Sequence, residues 1–334
     1  MRAIGDLASF MLSSQFQSRL RDSIDLAAQE ATTGLAKDTA RHLGGSTMAV
    51  SLLDRKIQLL EQHRHGVTEA TIFANTSQSV LGRIQDQTGE LSVSLALVDQ
   101  LDHASAIKTL SDTAGKTLVD VVNALNVETA GRYLFSGSAS QTAPLPNGAS
   151  FLQLLQSATA GMPTALDVAN AVDAWFDVPG GPFDSLAYEG SDTGFVQLPI
   201  GPEETVTFGL RADGETIRDL LKALAYAALA SDPTIGLDVA EQKSLLQQGR
   251  SALLRIDQAL TEERAGLGLS QAMIETARAT TEAELDRIAL DRLSLVGVDQ
   301  FKAASEYEAA QQQLEIFYRI AARQGRVSLA EYLR

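Results

Sequence analysis

Apolar and small side chains recur along the N-terminal half of the chain at alternating steps of three and four residues. The register comprises Val50, Leu53, Ile57, Leu60, Arg64, Val67, Ala70, Ala74, Ser77, Leu81, Ile84, Thr88, Leu91, Leu95 and Val98. This spacing predicts a long helix packed along a coiled-coil seam. Gly66, Gly82 and Gly89 interrupt it, and each weakens a helix by about 1 kcal/mol relative to Ala. The sequence therefore predicts a helix that belongs to a bundle.

A second register runs through the C-terminal half, where an apolar side chain returns at nearly every seventh residue. Its members are Leu246, Leu253, Leu260, Leu267, Ile274, Thr281, Ile288 and Leu295. No proline follows Pro233, and a proline inside a helix costs about 3 kcal/mol. Long helices are therefore predicted from this point to the end of the chain.

The centre of the chain has a different composition. All eight prolines lie between Pro144 and Pro233, and the single tryptophan, Trp175, lies there too. The runs FVQLPIG and TVTFGLR predict two short strands, because β-prone residues flank the turn-like GPEE at 201–204. Residues 141–215 carry ten acidic side chains and one basic side chain. The centre is therefore predicted to be a small, acidic α/β insert.

These three regions predict a mainly α-helical fold. Both chain ends build a long antiparallel helical coiled-coil rod, because two apolar seams from opposite ends bury each other most simply, and a small α/β domain is inserted between them. The predicted segments are an N-terminal assembly helix at 1–45, an outgoing helical rod at 46–140, the insert at 141–215, a returning helical rod at 216–300 and a C-terminal assembly helix at 301–334.

Amphipathic stripes also occupy the two extremes of the chain. The N-terminal stripe contains Phe16, Leu20, Ile24 and Ala27, and the C-terminal stripe contains Leu314, Phe317, Ile320, Leu329, Tyr332 and Leu333. Apolar faces at free chain ends tend to fray unless they are covered. The stripes either pack on each other within one chain or bury between subunits. Because the second stripe runs almost to the last residue, we favour assembly between subunits.

The aromatic run GRYLFSG, residues 131–137, marks the predicted boundary between rod and insert. It lacks the spacing of a phosphate-binding glycine loop. We expect Gly131 to end or bend the outgoing helix, with Tyr133, Leu134 and Phe135 packing over the end of the rod. A direct contact between subunits is the alternative.

Charge and cysteine content exclude several functions. The net charge is −15 without a run of Lys or Arg, which argues against nucleic acid and against an anionic membrane surface as partners. The chain has no cysteine, so disulfides and thiolate chemistry are excluded. The N-terminal segment has no continuous apolar core of a cleaved signal peptide.

Titratable side chains form no recognisable catalytic or metal-binding pattern. His63 and His65 are two residues apart, which puts them on different faces of a helix. The acidic run 184–192 does not match the spacing of a calcium loop. We therefore expect no enzyme activity, no cofactor and no metal.

Several motifs together resemble the flagellar hook-associated protein 3 family, the hook–filament junction proteins of the flagellin superfamily. GRYLFSG after a long helix is similar to a signature of that family. Thr32-Thr33-Gly34 stands where Ser-Thr-Gly is usual, and residues 293–297, LSLVG, resemble its NSLVG motif. The ending YEAAQQQLEIFYRIAARQGRVSLAEYL is also similar. Two departures are the absence of an Asn-Pro-Ser-Asp-Asp-Pro-like turn in segment 36–47 and Gly325, which predicts a helix break before Ser328.

The resemblance implies an extracellular, structural role at the hook–filament junction of the bacterial flagellum. Such proteins pass through the flagellar type III export apparatus unfolded and without a cleaved signal. The implied partners are further copies in a homo-oligomeric ring, a neighbouring hook-associated protein on the hook side and flagellin on the filament side. A cytoplasmic export chaperone is implied at the C-terminal helix, on Leu314, Phe317 and Ile320.

Two other functions remain open from the sequence. Within the same superfamily, the chain resembles flagellin, the filament subunit itself. From a different class, a cytoplasmic coiled-coil signalling module has similar helical periodicity, but it predicts a transmembrane or sensor segment and a polar hairpin tip.

Overall fold

Long helices dominate the structure, a computed structural model that describes residues 2–100 and 103–332, with side chains for residues 10–100 and 103–323. The elements of the N-terminal half are α1 (Arg2–Thr33), α2 (Thr39–His42), α3 (Met48–Leu95), a 3₁₀ turn (Val98–Gln100), α4 (Ala104–Leu125), β1 (Glu128–Thr129) and β2 (Arg132–Tyr133). The remaining elements are α5 (Gly148–Thr159), α6 (Ala165–Asp177), a π-helical turn (Phe183–Ala187), β3 (Val196–Pro199), β4 (Thr205–Phe208), α7 (Glu215–Leu229), α8 (Val239–Val296) and α9 (Gln300–Tyr332).

The chain divides into two compact units. The terminal unit is built from both chain ends, up to Glu61 and from Glu282 onward, and the central unit spans Gln62–Thr281. Helices α3 and α8 contribute to both units. The five predicted segments follow a finer division and stay a prediction.

In the terminal unit, α1 packs along α9. The first turns of α3 lie along the last turns of α8, where Val50, Leu60 and Ile288 are buried. Arg292 Nε donates to Asp54 Oδ1 at 2.6 Å between these helices. Helices from opposite ends of the sequence thus bury each other's apolar faces, as the two registers predict.

In the central unit, the same two helices continue side by side. Nearly all the register positions of α3 in this unit are buried, and so are those of α8 from Leu246 to Thr281. Gln85 ties the pair laterally, because its amide donates to Asp257 and Thr261 at 2.8 and 3.0 Å and its carbonyl oxygen accepts from Arg264 at 2.7 Å. The predicted long helices are therefore confirmed, and Gly66, Gly82 and Gly89 lie inside α3 without ending it.

The rest of the central unit packs α4, α5, α6 and α7 around an apolar core. An aromatic cluster fills that core beside α6 and comprises Phe151, Trp175, Phe176, Phe183 and Tyr188. Trp175 packs edge-on against Phe176 with ring centroids 4.7 Å apart, a favoured aromatic geometry. The single tryptophan therefore belongs to a small local core in the middle of the sequence.

The predicted strands form the antiparallel hairpin β3–β4, in which Val196 pairs with Phe208 and Pro199 with Thr205. Ile200 N–H donates to the Glu204 carbonyl at 2.9 Å and closes the turn. The hairpin lies against α3, where the Phe73 and Phe208 ring centroids are 4.5 Å apart. At Gly66 the approach is so close that a Cβ atom would lie 2.1 Å from the Pro199 carbonyl oxygen.

The prediction that Gly131 ends or bends the outgoing helix is wrong. Helix α4 already ends at Leu125, and Gly131 follows Ala130 in the turn of the hairpin β1–β2, both with positive φ. Two consecutive residues with positive φ match the tight turn that suits the twist of paired strands. The chain therefore leaves α4 through a short hairpin rather than through a glycine-terminated helix.

The predicted break before Ser328 is also wrong, because α9 continues through Gly325 to Tyr332. Segment 36–47, which lacks the expected turn sequence, contains the short helix α2, at whose start the Asp38 carboxylate accepts a hydrogen bond from Arg41 N–H at 3.0 Å. The predicted fold class is confirmed. The chain is mainly helical, helices from its two ends pack together, and the small sheets lie in the middle of the sequence.

Candidate functional site

The pair formed by α1 and α9 is the strongest candidate site, because both amphipathic stripes lie on it. Leu20 and Ala27 on α1 and Ala303 and Ala310 on α9 are buried, so small side chains on α9 let the helices approach closely. The stripe residues Ile24, Leu314 and Phe317 are half-buried.

An aromatic contact and two hydrogen bonds join α1 and α9 in the part of the pair where the side chains are less buried. The rings of Phe16 and Phe317 lie 5.5 Å apart. The Tyr318 hydroxyl accepts hydrogen bonds from Gln17 Nε2 at 2.8 Å and Arg21 Nη2 at 3.0 Å. These hydrogen bonds lower the pKa of Tyr318, because both favour the phenolate. The bond from Arg21 has the larger effect and the bond from Gln17 the smaller one. These contacts fix the register of α1 on α9.

A backbone clip holds the base of this helix pair. Ala36 N–H donates to the Val296 carbonyl at 2.8 Å, and Val298 N–H donates to the Gly34 carbonyl at 2.9 Å. Gly34 has a φ of 69°, and a Cβ there would lie 3.1 Å from the Gln300 amide nitrogen, so a side chain would be both strained and crowded. The clip thereby joins the TTG and LSLVG motifs that the sequence singles out separately.

Ion pairs line the adjoining surface between α3 and α8. Glu284 accepts hydrogen bonds from Arg287 on its own helix and from Lys56 on α3. The two hydrogen bonds lower the pKa of the Glu284 carboxyl to about 2, and the bond from Arg287 has the larger effect. Arg287 also contacts Asp291 at 2.9 Å. These charges are satisfied within the terminal unit.

Large apolar side chains on the chain-end helices nevertheless stay exposed. They include Phe10, Leu12 and Phe16 on α1 and Ile316 and Ile320 on α9. Isolated exposed apolar residues are ordinary, but an accumulation on one element marks an interaction site. The helix pair therefore buries only part of its apolar surface.

The structure brings several of the predicted assembly residues together but not all of them. Leu20, Ile24, Ala27, Leu314 and Phe317 lie in or beside the α1–α9 contact, whereas Ile320 is exposed. The side chains of Leu329 and Tyr332, and the whole of Leu333, lie outside the described residues. The role of this set in assembly stays a prediction.

Sequence periodicity missed the exposed apolar residues Phe10, Leu12 and Ile316. Phe10 does not follow the three-and-four spacing of the stripes, whereas Leu12 and Ile316 lie four residues before the stripe members Phe16 and Ile320. A step of four residues towards the N-terminus from these two stripe members would therefore have found Leu12 and Ile316.

In the GRYLFSG run, Leu134 and Phe135 are completely buried and Tyr133 is half-buried. Ala212 N–H donates to the Phe135 carbonyl at 2.8 Å, which joins the run to the segment after β4. The next residue is tied in too, because Ser136 Oγ donates to the Thr142 carbonyl at 2.6 Å. The predicted role of these side chains at the end of the rod stays a prediction.

No metal site emerges from the part of the chain that the structure describes, where no group of three or more potential ligands is close enough to hold an ion. In the acidic run 184–192, Asp184 already accepts from Arg218 at 3.0 Å and from Gly180 N–H at 2.8 Å. Among the described helices, none has the length and apolarity that a membrane span requires.

One segment of this chain matches a known protein family. Residues 240–333 match the bacterial flagellin C-terminal helical region. The chain therefore contains a flagellin-type helical region that covers α8 and α9, and the resemblance to the flagellin superfamily is confirmed there. That family is structural, in agreement with the prediction that the chain is not an enzyme.

Two crystal structures of other proteins superpose on part of this chain. The crystal structure of Bacillus cereus FlgL superposes with a TM-score of 0.49 at 14% identity, covering 73% of this chain and 100% of that one. The crystal structure of Xanthomonas campestris FlgL superposes with a TM-score of 0.48 at 11% identity, covering 72% of this chain and 99% of that one. No curated protein sequence matches this chain.

Proposed function

We propose that this chain is a structural subunit of the bacterial flagellum that joins the hook to the filament. The observation that carries the proposal is the match of residues 240–333 to the flagellin C-terminal helical region. The pairing of α1 with α9 and the exposed apolar side chains on both helices support it. They provide a surface that assembly with neighbouring subunits would cover.

In the proposed mechanism, the chain-end helices bury in a core shared among subunits. The contributing residues are Phe16, Leu20, Ile24 and Ala27 on α1 and Leu314, Phe317, Ile320, Leu329, Tyr332 and Leu333 at the other end. Burying a Leu or Phe side chain contributes roughly 1.5–3 kcal/mol. Because the α1–α9 contact already buries Leu20 and Ala27, the gain on assembly comes mainly from exposed residues such as Phe16 and Ile320.

The proposed partners follow from this position. Further copies form a homo-oligomeric ring, a hook-associated protein contacts the ring on the hook side, and flagellin contacts it on the filament side. Before export, a cytoplasmic chaperone covers Leu314, Phe317 and Ile320, and the unfolded chain then leaves the cell without a cleaved signal. Tyr133, Leu134 and Phe135 pack at the end of the rod and fix the direction of the acidic insert.

The filament subunit, flagellin, is a second candidate, because the matching family region is that of flagellin. A deletion strain separates the two functions. If the chain joins hook to filament, cells that lack it retain hooks and release flagellin monomers into the medium. Cells that lack their flagellin have no such monomers to release. Intact filaments on the deletion strain would refute both functions.

A further inference from the structure

A stripe on α3 in the terminal unit has no partner in the described part of the chain. It consists of Met48, Leu52, Arg55 and Leu59, which recur at steps of four, three and four and therefore share one helix face. Leu52 is 62% exposed. Val50 and Leu60, which face other directions, are buried. Arg55 is exposed and makes no ion pair with any described residue.

A similar stripe lies on α8 in the same unit. It consists of Ala283, Asp286, Leu290 and Leu293, at steps of three, four and three, and all four residues are exposed. Leu290 is 66% exposed. Glu284, Asp291 and Arg292 nearby are all paired, whereas Asp286 makes no ion pair in the described structure.

The two stripes match in length, apolar content and charge. At 1.5 Å per residue, Met48 to Leu59 spans roughly 16 Å and Ala283 to Leu293 roughly 15 Å. Each stripe is apolar with a single charge, positive on α3 and negative on α8. Neither charge lies at the middle of its stripe. The relative direction of the two helices therefore decides whether Arg55 and Asp286 lie opposite each other.

Only the antiparallel alignment pairs these side chains suitably. If Met48 is placed opposite Leu293, Leu52 falls opposite Leu290 and Arg55 falls opposite Asp286. The parallel alignment instead places Asp286 opposite Leu52 and Arg55 opposite Leu290, so that each charge meets an apolar side chain without a partner.

We infer that the α3 stripe of one copy of this chain docks antiparallel on the α8 stripe of a second copy. One unit carries both complementary halves, which favours a second copy over an unrelated partner that would need only one of them. Because the halves differ, the contact is heterologous, and its repetition produces a ring or an open helical array. It involves no residue of α1 or α9, so it goes beyond the chain-end assembly proposed above and can fail independently.

The absence of native cysteine allows a direct test with purified full-length protein. Leu52→Cys and Leu290→Cys are prepared as separate variants, mixed at high concentration and oxidised. We expect a disulfide-linked dimer from the mixture, well above the yield from either variant alone. Val93→Cys provides the matched control, because Val93 lies on the same helix α3, outside the stripe, and is 74% exposed.

The direction and the charge pair are tested in the same assay. Met48→Cys mixed with Leu293→Cys is expected to cross-link efficiently, and Leu59→Cys mixed with Leu293→Cys poorly. Adding Arg55→Glu to the Leu52→Cys variant is expected to lower its cross-linking yield with Leu290→Cys. Adding Asp286→Arg to that Leu290→Cys partner is expected to restore the yield.

Three results would overturn the inference. The first is a yield for the Leu52→Cys mixture no higher than that of the Val93→Cys control. The second is equal dimer formation by Leu52→Cys alone, which would mean that identical stripes meet. The third is a preference for the Leu59–Leu293 pair, which would mean that the helices dock in parallel.

Discussion

Replacing Gly66 by Ala tests the close approach of the β3–β4 hairpin to α3. A Cβ atom at this position would lie 2.1 Å from the Pro199 carbonyl oxygen and 3.3 Å from its carbon. The obstructing atoms belong to the backbone and cannot rotate away. The hairpin must therefore shift, and its buried residues Val196, Leu198 and Phe208 must shift with it.

Two opposing terms set the size of the effect. Overpacking in a well-packed region costs about 1–3 kcal/mol, and the contact with a fixed backbone atom favours the upper part of that range. Ala gains about 1 kcal/mol over Gly in helix propensity. The expected net loss of unfolding free energy for Gly66→Ala is therefore about 1–2 kcal/mol.

Gly89→Ala is the matched control in the same helix. Nothing lies within 4 Å of a Cβ built at Gly89, so only the propensity term acts, and stability rises by about 0.5–1 kcal/mol. Denaturant unfolding measures both variants. Hydrogen exchange of the β3–β4 peptides shows whether the loss is local, since protection reports local opening. If Gly66→Ala proved as stable as Gly89→Ala, the hairpin would not pack on α3 as described.

Three further predictions concern the core, the ion pairs and the assembly surface. Phe135→Ala should lower the unfolding free energy by about 3–5 kcal/mol because its side chain is completely buried, and Tyr133→Ala, at a half-buried position, should cost less in the same denaturant measurement. Because the folded-state pKa of Glu284 is lowered to about 2, the stability it contributes is present above the usual Glu pKa of about 4.3 and is lost as the pH falls towards 2. Glu284→Gln should therefore flatten the decline of stability across that window in acid titrations followed by circular dichroism, and an unchanged profile would contradict the ion-pair argument. Ile320→Asp should preserve helical content yet prevent incorporation into flagella, whereas Gln312→Asp, an exposed polar site on the same helix, should incorporate normally.

The periodic parts of the fold were predictable because one physical rule acts along their whole length. The seven-residue spacing from Leu246 to Ile288 identifies α8, since only a helix places those residues on one face. The role of Gly131 was not predictable in the same way. Glycine ends helices and also occupies hairpin turns, and the choice depends on strand pairing between Glu128 and Tyr133, which no local pattern shows.

The candidate site was predictable in part for a similar reason. Residues such as Leu20 and Phe317 follow an amphipathic spacing, so the chain-end pair could be located from sequence. The clip between Gly34 and Val298 could not, because its hydrogen bonds come from the backbone and carry no side-chain signature. The α3 and α8 stripes also required the structure, since their exposure becomes evident only when the opposite helix faces are buried.

The abundance of this chain in flagella tests the central proposal most directly. Quantitative mass spectrometry of purified hook–basal-body–filament preparations would compare its copy number with that of flagellin. A junction protein is expected at a small, fixed number of copies per hook that does not change when filaments are sheared to different lengths. Abundance that rises in proportion to filament length would identify a filament subunit instead, and absence from the preparation would contradict a flagellar role.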